Sequence, residues 1–238
     1  MDLLGKKCVI TGAASGIGLA LAHKFRAEGA DLVIADRSAG LLENAVAALR
    51  SVSGGVCESF VVDLSNEQGN IDLVNFANRK LGAIDLFFAN AGIGIGTGVV
   101  ETTEEEWDIA FAINFSAHRW ALKALLPQWL ERGDGYFCST ASAAGLLTQP
   151  GSVPYAVTKH AALSFAEWVA ITYGERGIKV SCLCPQGVNT PMIGGPVSSA
   201  QPEDKTAPPE AISDLAIAAV KAGGRLLDAH DVARARLV

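Results

Sequence analysis

Long apolar runs are missing from this 238-residue chain, and every uninterrupted hydrophobic stretch falls well short of the ~20 residues that a membrane-spanning helix requires. Charge is scarce too: Asp, Glu, Lys and Arg make up only 18% of the residues, no Lys/Arg-rich tract occurs, and the net charge is -6. An acidic chain without a basic patch argues against nucleic acid or an anionic membrane as its partner. The five cysteines, Cys8, Cys57, Cys138, Cys182 and Cys184, are an odd set, mostly within or beside apolar strand-like segments. They read as buried reduced thiols rather than disulfides or zinc ligands. His23, His118, His160 and His230 are scattered without metal-ligand spacing, so no metal is expected. No charged-then-apolar leader precedes Lys7, which leads to the expectation of a cytoplasmic protein. Nothing resembles a linker between domains, and 1–238 is expected to form one domain.

What the chain does have is apolar residues, half of the total, in an alternating pattern. Lys7 to Ile10, Asp31 to Ala35, Glu58 to Val62, Asp85 to Ala89, Gly135 to Ser139 and Lys179 to Leu183 are short, apolar and bounded by turn residues, as parallel strands buried on both faces are. Between them, Ile17 to Glu28, Ala39 to Ser51, Gly69 to Lys80, Glu104 to Arg132 and Val153 to Arg176 carry apolar residues near i, i+3 and i+4. Glu210 to Ala222 adds a helix and Gly224 to Leu227 a last strand. The fold class is α/β: a doubly wound parallel sheet of about seven strands flanked by helices. Such sheets bind ligands beyond the carboxyl ends of their strands.

The first of those ends carries Thr11-Gly12-Ala13-Ala14-Ser15-Gly16-Ile17-Gly18, leading into a helix. Glycines there let the backbone turn tightly and approach a phosphate, and the helix N-terminus offers free N–H groups. Farther on, Tyr155 and Lys159 stand four residues apart on a helix and so share a face, where an ammonium can favour the ionised phenol. Three residues separate Gly12 from Gly16 where the common dinucleotide fingerprint has one. That wider turn together with Tyr155 and Lys159 resembles the short-chain dehydrogenase/reductase family, whose fold is Rossmann-type.

The resemblance covers nearly the whole chain. Asn90-Ala91-Gly92 looks like the family motif that steadies the sheet against the adenosine half of the cofactor, and Asn114 matches its helix asparagine. Ser142 stands thirteen residues before Tyr155, the family's separation; Ser139 is its rival, but the following Ala143-Ala144-Gly145 favours Ser142. The resemblance implies a catalytic tetrad of Asn114, Ser142, Tyr155 and Lys159. Tyr155 would be the acid/base, Lys159 would lower its pKa and hold the nicotinamide ribose, Ser142 would orient the substrate oxygen, and the Asn114 position would hold a water linking Lys159 to solvent. The reaction implied is hydride transfer between nicotinamide and an alcohol or ketone, with a small to medium apolar substrate.

Asp36 ends the second strand, where a carboxylate accepts both adenosine ribose hydroxyls and repels a 2′-phosphate, so NAD is favoured over NADP. Arg37 beside it is the kind of residue that can bind that phosphate, whereas Ser15 in the Gly-rich turn lends NADP no support. Ser15, Gly16, Ile17 and Gly18 complete the expected cofactor turn, and Asp63 with Leu64 matches the family's adenine contact. After the sixth strand, Pro185-Gln186-Gly187-Val188-Asn189-Thr190 looks like the family's Pro-Gly segment, with Pro185, Gly187, Val188 and Thr190 toward the carboxamide. Gln186 departs from the pattern and, with Ser142 and Met192, is a candidate substrate contact. Residues 191–209 hold five of the nine prolines and are expected to form a substrate lid. The ending, Ala229-His230-Asp231, lacks the family's closing Gly-Gly.

The two long helices carry Trp107, Trp120, Trp129 and Trp168, and family members pair these helices across a two-fold, which implies a homodimer or homotetramer. Two other readings compete with the oxidoreductase. A non-catalytic cofactor-sensing or interaction protein on the same fold is disfavoured by the intact tetrad. Elimination chemistry of the halohydrin dehalogenase kind is disfavoured by the Gly-rich turn and the lysine.

Overall fold

Val9, Val33, Phe87 and Phe137 stand level on four neighbouring parallel strands and point to the same side. Their sequence neighbours Ile10, Ile34, Phe88 and Cys138 point to the other. This two-residue alternation makes the expected sheet, with an apolar layer on each face. A computed structural model describes residues 1–52, 55–148, 150–192, 206–223 and 226–228. In chain order it contains β1 (Lys7–Thr11), α1 (Gly16–Ala27), β2 (Asp31–Asp36), α2 (Ala39–Arg50), β3 (Cys57–Val61), α3 (Glu67–Leu81) and β4 (Leu86–Ala89). There follow α4 (Glu104–Phe111), α5 (Ala117–Arg132), β5 (Gly135–Thr140), α6 (Val153–Tyr173), β6 (Ile178–Cys184), α7 (Pro209–Ala222) and β7 (Leu226–Asp228).

The seven strands lie in the order β3-β2-β1-β4-β5-β6-β7, every pair parallel. The order reverses between β1 and β4, so the ends of these two strands open the crevice where such sheets hold ligands. One core layer takes Phe25 from α1 and Ile212 from α7. The other takes Leu73 from α3 and Leu125 and Trp129 from α5, and the Trp129 indole donates to the Ile84 carbonyl at 2.8 Å.

Helix ends follow local chemistry. Thr103 and Glu106 form a capping box at the start of α4, each side chain accepting from the other's backbone N–H, at 3.3 and 3.0 Å. Ser152 caps α6 by accepting from Tyr155 N–H at 3.2 Å, and Pro154 occupies the first turn, where a missing N–H costs nothing. That start fixes Tyr155 in the first turn and Lys159 one turn later.

The continuous helix expected from Glu104 to Arg132 is interrupted. Residues Ala112–Ser116 form a π-helical turn between α4 and α5, and the extra residue it accommodates carries Asn114 inward. Periodicity misses it because the apolar spacing resumes on either side. The other long helix also ends earlier, with α6 giving way to a 3₁₀ turn over Gly174–Arg176. All five cysteines are free and buried, as expected. Most of the expected lid, 193–205, lies outside the described residues, as does the Ala229-His230-Asp231 ending.

Candidate active site

At the end of β1, Gly12 takes φ +64, a left-handed conformation that side-chained residues rarely adopt, and a Cβ there would lie 2.9 Å from the Ala91 Cα. Gly18 is tighter still: a Cβ would stand 2.1 Å from the Gly12 carbonyl oxygen and 2.7 Å from Asn90 Nδ2. The turn therefore packs directly on Asn90-Ala91. Ser15 precedes α1 in an extended conformation, with no side-chain bond to the helix, so the first N–H groups of α1 face the crevice without a cap.

Asn90 ties three strands together. Its Nδ2 donates to the Thr11 carbonyl oxygen at 3.0 Å, and its Oδ1 accepts from Thr140 Oγ1 at 3.0 Å. The Thr11 hydroxyl completes the tie, accepting from Asn90 N–H and Ala91 N–H, each at 3.0 Å. Thr11 and Thr140 were missed by the sequence reading, although each ends a strand beside a motif, which was the available signal.

Gly12, Asp36, Arg37, Asp63, Leu64, Ala91 and Gly92 line one groove, together with Val62, Ile93 and Ile113, three further residues that motif reading did not single out. The Asp36 carboxylate sits at its edge, accepting from Ala14 N–H at 3.2 Å and Ser38 N–H at 3.0 Å, while Arg37 is exposed. Asp63 accepts from the backbone and hydroxyl of Ser65 at 2.9 and 2.8 Å, and these bonds hold its carboxyl below the ordinary value. Gly12 belongs to both the turn and this groove, so the groove begins beside the open α1 terminus.

Asn114 is fully buried. Its Oδ1 accepts from Ile93 N–H at 2.8 Å, and its Nδ2 donates to the Ile93 carbonyl at 3.0 Å and to Thr158 Oγ1 at 3.1 Å. The side chain is spent on holding the β4 loop against α6. A Cβ on Gly92 would lie 3.3 Å from Asn114 Oδ1 and 3.2 Å from Lys159 Nζ, so this clamp also sets the distance between the loop and the lysine.

Ser142 is extended and caps a 3₁₀ turn, its Oγ accepting from Ala144 N–H at 3.1 Å and lying 3.5 Å from the Pro185 carbonyl oxygen. Ser139, its rival, is fully buried with its hydroxyl 3.0 Å from His118 Nδ1. The Lys159 ammonium stands 5.7 Å from the centre of the Tyr155 ring and donates to the Thr140 carbonyl at 2.9 Å.

The electrostatics differ from expectation. Burial pushes the Tyr155 phenol above its ordinary value, and the neighbouring Ser142 hydroxyl is what pulls it back. Burial also lowers Lys159 to about 8. The anticipated depression of the phenol by Lys159 is not among the causes of its shift; burial leads for both groups, because desolvation penalises each charged form.

On the third side, the Pro185 carbonyl oxygen accepts from Ala143 N–H at 2.8 Å, which seats the β6 end beside Ser142. Gly187 and Asn189 exchange hydrogen bonds of 2.9 Å with Ala207, with Val188 buried between them. Thr190 lies over the Gly-rich turn, its methyl 3.0 Å from where a Cβ on Gly16 would stand. Gln186 and Ile17 are half-buried, and Met192 is exposed. No group of His, Cys, Asp and Glu among the described residues could hold a metal, and no helix among them is long and apolar enough to cross a membrane.

A family model described as short chain dehydrogenase matches residues 6–199. The 17-beta-hydroxysteroid dehydrogenase 13 of Rattus norvegicus is 35% identical over 198 residues, which are 82% of this chain and 66% of that protein, so the chain spans just under two thirds of this relative. The 1-deoxy-11-beta-hydroxypentalenate dehydrogenase of Streptomyces exfoliatus is 34% identical over 232 residues, 96% of this chain and 81% of that one. Among solved structures, a short chain dehydrogenase/reductase from Burkholderia phymatum in complex with NAD superposes with a TM-score of 0.90 at 28% identity, covering 99% of this chain and 92% of that one. A short-chain dehydrogenase from Sphingobium yanoikuyae in complex with NADPH does so with a TM-score of 0.87 at 26% identity, covering 96% and 90%.

Proposed function

The chain belongs to the short-chain dehydrogenase family, and from that premise we propose that it is an NAD-dependent oxidoreductase interconverting an alcohol and a ketone, with Tyr155 as acid/base. The observation that carries this reading is the meeting of Ser142, Tyr155 and Lys159 beside the Gly-rich turn, at the carboxyl ends of the strands. Nicotinamide, when bound, supplies or accepts the hydride.

The rest is work for this chain's own residues. A phenol held above its ordinary value keeps its proton through neutral pH, so Tyr155 is suited to protonate the substrate oxygen in reduction, while oxidation requires its phenolate to take the hydroxyl proton. Ser142 donates to the same oxygen and fixes its angle. Lys159, at about 8, is mostly charged at neutral pH and stabilises the phenolate that forms transiently. Asn114 acts through position, keeping Gly92 and Lys159 in register and lining the path by which the proton is replenished.

The turn and the groove hold the cofactor by complementary chemistry. Gly12, Ser15, Gly16, Ile17 and Gly18 receive the pyrophosphate on the α1 N-terminus, and Asp36 takes the adenosine ribose hydroxyls. Asp63 and Leu64 flank the adenine, with Asn90, Ala91 and Gly92 lining the floor. Pro185, Gly187, Val188 and Thr190 face the carboxamide. The relatives include both an NAD and an NADPH complex; the Asp36 carboxylate is the reason to favour NAD here.

The working unit is a cytoplasmic single-domain protein with a homodimer or homotetramer as its assembly. Supporting the assembly, Leu122, Leu126, Leu130, Phe165 and Trp168 line an apolar groove between α5 and α6, and Trp168 and Ile171 are 55% and 84% exposed. The test is to titrate NADH and NADPH by fluorescence and then to screen secondary alcohols and ketones by reduced-nicotinamide absorbance. Failure of both cofactors to bind would sink this reading.

A further inference from the structure

Charge is missing from the three segments around Ser142 and Tyr155. Residues 93–100, 141–153 and 185–192 contain no Asp, Glu, Lys or Arg. The segments are joined around the pair: Val153 N–H donates to the Thr97 carbonyl at 2.8 Å, the Ser152 hydroxyl donates to the Ile95 carbonyl, and Ala143 N–H reaches the Pro185 carbonyl. Their exposed large hydrophobic side chains are Val99, Val100, Leu147 and Met192, at 76%, 90%, 40% and 37% accessible, and the exposed polar ones, Thr97, Thr148 and Asn189, are neutral. The first segment is followed directly by Glu101, an acid. The cation nearest the reacting group, Lys159, is 3% exposed and committed to the Thr140 carbonyl.

A carboxylate or phosphate entering between these segments would lose hydration and find no counter-charge within them, and burying an unpaired ion is costly. We propose that the site takes an uncharged, predominantly apolar secondary alcohol or ketone and discriminates against anionic counterparts of the same skeleton. Polar recognition away from the reacting carbon falls to neutral groups, above all Gln186, whose half-buried amide has no hydrogen-bond partner among the described residues. This inference rests on the dehydrogenase reading. The reaction balances with nicotinamide as the only co-reactant: the carbinol hydrogen leaves as hydride to the oxidised cofactor, the hydroxyl proton goes to the Tyr155 phenolate and from the resulting phenol to solvent, and the ketone remains.

The test compares a cyclic ketone carrying a methyl ester with the same ketone carrying the free carboxylate, each reduced with NADH. The expected kcat/KM for the ester exceeds that for the acid by on the order of 100-fold. Leu147→Arg and Val99→Arg, both on exposed loop positions, should each bring the acid at least about tenfold closer to the ester by supplying the absent counter-charge. Equal turnover of acid and ester, or no change of the ratio in either variant, would overturn the inference. Binding of NADH without turnover of the ester would overturn it while leaving the cofactor reading intact, whereas loss of NADH binding would overturn both.

Discussion

Asn114 grips the backbone of Ile93 at both ends, its Oδ1 accepting the N–H at 2.8 Å and its Nδ2 donating to the carbonyl at 3.0 Å. A residue two turns into a helical segment thereby controls the loop after β4, the one place where Gly92, Lys159 and the cofactor groove meet. Removing the amide strands both Ile93 groups. Asn114→Ala is expected to lower unfolding free energy by about 1–3 kcal/mol in urea denaturation, and to raise KM for the cofactor as the loop relaxes. A stability change with an unaltered KM would limit Asn114 to a purely structural role.

Tyr155→Phe removes the proton and little else, because the ring remains packed and 5.7 Å from the lysine ammonium. Turnover should fall by roughly 10²- to 10⁴-fold. NADH titration by fluorescence should show nearly unchanged affinity, and the two measurements together separate proton transfer from cofactor binding.

The proposed preference for NAD rests on the charge of Asp36. With Asp36→Ala the repulsion of a 2′-phosphate should disappear, leaving the exposed neighbour Arg37 to attract it. The ratio of NADPH to NADH affinity should move toward NADPH by about tenfold or more. An unmoved ratio would assign cofactor choice to another residue.

His118 makes stability fall on acidification. Burial, with the charge of Lys159 adding to it, lowers its pKa to about 3 from 6.5, so the folded protein keeps it neutral. Between those values the unfolded chain binds a proton that the folded chain does not. Its contribution is therefore fully present above 6.5 and is lost as pH falls toward 3, at up to about 1.4 kcal/mol per unit. Urea denaturation of the wild type at pH 6.5 and 5.5 should show this slope, and His118→Gln should flatten it.

Trp168 and Ile171 project from α6 beside an apolar groove, where a second copy of the chain would cover them. Light scattering behind size-exclusion chromatography should give a dimer or tetramer mass. Trp168→Glu with Ile171→Glu should shift that mass toward the monomer, since burying two new carboxylates in an apolar contact is costly. A wild-type monomer would defeat the assembly proposed above.

The chain by itself determined what short-range rules govern. Alternating strand and helix patterns gave the parallel sheet nearly strand by strand, because a buried strand must read as a short apolar run. The Gly12 to Gly18 turn and the four-residue spacing of Tyr155 and Lys159 were equally readable, since backbone reach and helix geometry are local. Tertiary structure decided the rest. Whether Ser139 or Ser142 meets Tyr155 depends on which of them β5 buries against His118. The π-helical turn at Asn114 leaves no mark on periodicity, and the Thr11–Asn90–Thr140 tie joins residues far apart in sequence. The sign of the electrostatic shifts was hidden for the same reason. The i to i+4 spacing says only that Lys159 can approach Tyr155; that both lie buried, so that desolvation leads the shift of each, is a property of tertiary packing.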